Sequence, residues 1–150
     1  MIRNVSALLA QLGRPLVAAR VKRLVLQGTL EPEPLITYLL FDQWLSIIST
    51  DEQTSIHIDP EPPVGTKADD GGFAYRIEPI AEVFPEFEIY IGQPLKAISE
   101  LVNSSGSFGI KLYFANGRSF AVWNEDYPGD ANHYLFGGQL PAVVVEVPVE

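Results

Sequence analysis

A chain of 150 residues with 47% apolar and 19% charged side chains is long enough for one hydrophobic core and too apolar to remain disordered. It has no cysteine, which excludes disulfides, thiolate metal sites and thiol nucleophiles, and no apolar run approaches the ~18 residues of a membrane-spanning helix. The net charge of −9 is uneven: residues 1–30 carry five basic groups and no acid, leaving five basic groups against all nineteen acids in the rest. That acidic body argues against nucleic acid as a ligand and favours a basic protein.

Val5, Leu8, Leu9 and Leu12 fall on one helical face, with Asn4 placed to cap the start, Gly13 to end the helix and Pro15 to prevent its continuation. This acid-free start has the composition of a transit or signal peptide. The helix, the strand-like run after it and the lack of a small-residue cleavage site favour instead a cytoplasmic protein whose N-terminus is part of the fold. Leu16 to Gln27 reads as a strand with Arg20 and Lys22 facing water, and Glu31-Pro32-Glu33-Pro34 as a rigid connection. Leu35 to Phe41, Trp44 to Ser49 and Thr54 to Asp59 then form a meander, with Ile56 and Ile58 both facing the core. Residues 59–72 read as an exposed loop, Arg76 to Phe84 as a segment holding a short helix ended by Pro85, and Phe87 to Ile91 as a short strand. Leu95 to Asn103, Phe108 to Phe114 and Ser119 to Trp123 form a second meander, whose Asn116-Gly117 is a strong hairpin signal. Tyr134 to Gln139 and Ala142 to Val149 complete the chain.

Gly13-Arg14-Pro15-Leu16 is echoed by Gly92-Gln93-Pro94-Leu95, each opening a strand followed by a strand, a turn, a strand and an acidic loop. The expected architecture is therefore a single α+β domain over residues 1–150. It consists mainly of antiparallel β-sheet, or a partly closed barrel, from two pseudo-repeated β-meanders (13–59 and 92–149) with a short N-terminal helix.

Chemistry is sparse. Glu125, Asp126, Asp130 and His133 in NEDYPGDANH bring carboxylates and an imidazole into one stretch, but their spacing lacks the alternation and closing glutamate of a calcium loop. His57 and Asp59 share a strand face without a third partner. Gly71-Gly72 and Gly137-Gly138 have no phosphate-loop context, and Ser104, Ser105 and Ser107 no nucleophile elbow. No catalytic residue, metal site or cofactor is expected. Trp44, Trp123 and Tyr127 lie near acids, a composition suited to recognition, although both tryptophans also fit a core.

LITYLLFDQWLSI and IKLYFANGRSFAVWNEDYPGD, each a strand, tight turn and strand running toward an acidic loop, resemble small bacterial proteins that include immunity proteins neutralising polymorphic toxins. The resemblance implies a cytoplasmic, non-enzymatic protein that blocks a cognate toxin, and transfers no active-site residue. The binding surface expected from the residues themselves comprises Asp51, Glu52, Trp123, Glu125, Asp126, Tyr127 and Asp130, facing a basic protein; under the resemblance, that partner is a toxin, and the acidic body suits a basic nuclease. Two other readings stand beside it. One is a metal-assisted hydrolase using Asp126, Asp130 and His133; the other is a self-assembling domain in which Val143 to Val149 pairs with a neighbour's sheet edge to give a homodimer.

Overall fold

The computed structural model describes residues 1–50, 53–68, 73–104, 106–124 and 132–150. Two antiparallel sheets enclose one core, and neither sheet closes into a barrel. The first contains β1 (Ala18–Leu26), β2 (Thr29–Leu40), β3 (Trp44–Ser49), β4 (Thr54–Ile58), β5 (Gly65–Ala68) and β6 (Phe73–Pro79), ordered β4-β3-β2-β1-β6-β5. The second contains β7 (Leu95–Asn103), β8 (Gly106–Phe114), β9 (Ser119–Asn124), β10 (Asn132–Phe136) and β11 (Val145–Val149), ordered β10-β9-β8-β7-β11. Helix α1 (Val5–Leu9) precedes the first sheet; α2 (Ile80–Val83) and a 3-10 helix over Pro85–Tyr90 precede the second.

The strand period of two divides each sheet into faces. Val21, Leu39, Leu45, Ile47 and Ile56 from the first sheet meet Ile98, Ile110, Leu112, Phe120 and Val122 from the second, with Leu8, Ile80, Phe87 and Tyr90 from the helical segments filling the same core. Phe87 packs edge-on against Phe120 at 5.0 Å. The Tyr90 hydroxyl donates to the Ser119 carbonyl, and burial pushes its pKa up to about 12 against a small opposing pull from Arg118.

The Gly-x-Pro-Leu segments lie side by side, pairing Pro15 with Pro94. The Gly13 N–H donates to the Leu95 carbonyl at 2.7 Å and the Gly92 N–H to the Leu16 carbonyl at 2.7 Å; Leu16 N–H reaches Gln93 O and Leu95 N–H reaches Arg14 O, both at 3.0 Å. Gly13 and Gly92 adopt φ of +86° and +85°, a region that side chains with a Cβ enter only at a cost. Each sheet's first strand thus starts against the start of the other.

Several local readings are corrected. The helix is shorter than its apolar spacing suggests, and Asn4 does not cap it: its φ is +59° and its side chain donates to the Ile56 carbonyl. Residues 31–34 belong to β2, because the β1–β2 ladder shifts register on either side of Arg23 and so accommodates the prolines. Within the supposed loop 59–72, Gly65–Ala68 is a strand; the short helix expected within Arg76 to Phe84 is present as α2, Ile80–Val83, and Arg76 to Pro79 is the end of β6. Phe87 to Ile91 is mostly 3-10 helix, started by Pro85. Ile58, the last residue of β4, is exposed.

In each sheet the fourth meander strand is joined to the far edge by a strap across the outer face. Residues 59–64 link β4 to β5, five strand spacings away, roughly 24 Å at ~4.8 Å per strand. Pro60, Pro62 and Pro63 suit so extended a path. Residues 137–144 link β10 to β11 in the same manner.

Candidate functional site

The two acidic segments singled out in the sequence have adjacent roots. At the end of β3, the Ser49 hydroxyl donates to the Phe108 carbonyl across the sheets at 2.5 Å and lies 2.8 Å from the Thr54 hydroxyl. Thr50 closes the following turn, its N–H donating to the Gln53 carbonyl at 2.9 Å. Asn124, the last residue of β9, donates from Nδ2 to the Ser49 carbonyl at 3.3 Å. Its ladder partner is Asn132, the first residue of β10, whose Nδ2 donates to the carbonyls of Pro34 and Leu35 at 3.2 and 3.1 Å. Both asparagines are buried.

These amides serve backbone carbonyls that the meeting of two sheets would otherwise leave without donors, and such bonds are costly to lose once buried. They fix Asn124 and Asn132, which flank 125–131 in sequence, against the first sheet at Ser49, two positions before Asp51, and at Pro34 and Leu35. Beside them, Tyr134 and Thr37 share a hydroxyl–hydroxyl hydrogen bond, and burial raises the Tyr134 pKa despite that bond.

Asp51, Glu52, Glu125, Asp126, Tyr127 and Asp130 lie outside the described residues. Trp123 lies within them and is 8% exposed. Its ring belongs to a second apolar cluster with Leu101, Phe108 and Ala121 on the outer face of the second sheet, under Leu140 and Val144 of the strap. Gly109 makes this possible: a Cβ there would come within 2.5 Å of the Trp123 Cβ. Trp44 is likewise buried, 7% exposed. The tryptophans are therefore packing residues and not the exposed aromatics that recognition would use.

His133 stacks on Trp123 at 6.0 Å, and its Nε2 lies 3.9 Å from a Glu33 carboxylate oxygen. His57 is exposed on β4, opposite Ser46. Among the described residues, no three His, Cys, Asp or Glu side chains converge as metal ligands; Asp126 and Asp130 fall outside that set.

Asn124 and Asn132, which weld the loop's base to the first sheet, were not singled out in the sequence. Their signal is an asparagine at each end of one acidic turn segment, legible only once the strands on either side are known to be buried. No family model matches the chain, and neither a curated protein nor a solved structure matches it. No described helix is long and apolar enough to cross a membrane.

Proposed function

We propose that the protein is a non-catalytic binding module that captures a basic protein with one acidic end, as an immunity protein would block a basic toxin in the cytoplasm. The observation that carries this reading is the Asn124 to Ser49 hydrogen bond. It ties together the roots of two segments that hold Asp51, Glu52, Glu125, Asp126 and Asp130, which are far apart in sequence. On this reading the five carboxylates make one end acidic, and an acidic field accelerates encounter with a cationic surface and opposes anionic ones. Glu33, beside His133, adds to it.

The test compares the wild-type protein with a D51N/E52Q/E125Q/D126N/D130N variant as baits in native-host lysate, at low and high salt. The wild type should retain a basic protein that added salt releases and that the variant fails to retain, with both baits giving the same far-UV circular dichroism. Equal retention by the two baits would overturn the proposal.

The two meanders are read as copies of one ancestral unit. Support comes from the reciprocal bonds Gly13 to Leu95 and Gly92 to Leu16, from the four-strand order common to both sheets, and from the strap that follows each meander.

A further inference from the structure

Where the strap of the first sheet descends onto β5, the outer face holds a cavity of about 480 Å³. Its floor follows from the register. Lys22 on β1 pairs with Ile77 on β6, which pairs with Gly65 on β5; one step along, Lys67 pairs with Tyr75. Paired residues in an antiparallel ladder point to the same side, so these five share the outer face, and Val64 of the strap forms a lip. A Cβ built on Gly65 meets nothing within 4 Å, so the missing side chain leaves the floor open.

The walls are aliphatic and aromatic, and the two charged residues among them are lysines. The Lys22 ammonium sits 4.4 Å from the centre of the Tyr75 ring, an interaction that orients a cation without neutralising it. No carboxylate among the described residues forms an ion pair with Lys22 or Lys67. In a chain of net charge −9, this is an apolar recess whose two lysine ammonium groups have no carboxylate partner among the described residues. Its volume is that of pockets which enclose small molecules through apolar contacts and a few fixed polar groups. Two ammonium groups beside an apolar floor suit an anionic head group carried on an apolar body.

We propose that this cavity binds a small organic carboxylate with a flat apolar body. The carboxylate lies between the Lys22 and Lys67 ammonium groups, and the body rests on Tyr75 and Ile77 beneath Val64. This site is independent of the acidic end and uses none of its residues.

Titration of the isotope-labelled protein with 2-naphthoate, followed by amide NMR shifts, tests the proposal, with neutral 2-naphthamide as the isosteric control. Naphthoate should shift the amides of Lys67, Tyr75 and Ile77 with a Kd of roughly 0.1–1 mM, as expected for so small a ligand. Naphthamide should bind at least about tenfold more weakly. A K22M/K67M double variant keeps the lysine stems' apolar contacts; it should retain the folded spectrum and lose naphthoate affinity by a similar factor. Absence of naphthoate binding, equal affinity for the amide, undiminished affinity in the double variant, or shifts confined to another region would each overturn it.

Discussion

The two straps cross their sheets over a tryptophan each, yet they hold on by different chemistry. Over the first sheet, the Arg20 guanidinium stacks on Trp44 at 4.8 Å, donates to the Pro62 carbonyl and approaches Glu61 at 3.9 Å, while the Asp59 N–H donates to the Trp44 carbonyl at 3.0 Å. Over the second sheet, Leu140 and Val144 press on Trp123, Phe108 and Leu101. One strap is latched by a cation; the other is held by apolar area. A latched strap depends on a few directional contacts and leaves open surface beside it, which is where the lysine-lined cavity lies. A packed strap distributes its hold over many small contacts.

That contrast sets a ladder of expected effects. Trp123→Ala removes the centre of the packed side and should cost about 3–5 kcal/mol in denaturant unfolding. Gly109→Ala, which drives a Cβ against the Cβ and Cα of Trp123 and the Val122 carbonyl, should cost about 1–3 kcal/mol and should not be rescued by shortening Trp123, since the atoms it strikes remain in any smaller side chain. Arg20→Met should cost only about 1 kcal/mol, but it should accelerate hydrogen exchange at the Asp59 amide and alter Trp44 fluorescence. Unchanged exchange there would show that the latch is not what holds the strap.

The smallest effect concerns the end of the packed strap, where β11 is fastened through Glu146. Burial alone would raise this carboxyl, but the Tyr113 hydroxyl, Ser99 and Lys111 outweigh it and hold the pKa below its ordinary value of 4.5. The Lys111 ammonium lies 3.4 Å away. A depressed folded-state pKa contributes stability at neutral pH that is lost as pH falls through that value. Wild type should therefore lose stability below about pH 4.5 more steeply than Glu146→Gln, measured as the pH dependence of the unfolding midpoint.

How far the sequence reveals this arrangement depends on the kind of signal. The pattern gives Trp44 to Ser49 its observed ends because a turn bounds each side of a strongly apolar run, and Asn116-Gly117 marks its hairpin because Gly117 takes the positive φ of +83° that the turn demands. Misreadings arose where two periods compete. Ile77, Ile80 and Phe84 have helical spacing across a strand-to-helix junction, and Phe87, Ile89 and Ile91 alternate like a strand although Pro85 starts a 3-10 turn. The basic face of β1 was expected to meet water. For Arg20 it meets the strap, a contact with Pro62 across 42 residues that local pattern cannot report.

The candidate site divides in the same way. Its acids are conspicuous in composition, but the adjacency of the strand ends that flank them rests on Asn124 reaching Ser49 across 75 residues, and the burial of Trp123 rests on a strap whose path follows from sheet order.

The reciprocal clasp between the two Gly-x-Pro-Leu segments bears on how the molecule is made. During synthesis the first meander emerges with Leu16 lacking its acceptor, which is the carbonyl of Gln93. The lower end of the first sheet cannot be completed until more than half the chain has left the ribosome. Contacts so distant in sequence make folding slow relative to helical proteins of this size, and the unfinished edge is a place where a nascent chain is open to chaperones.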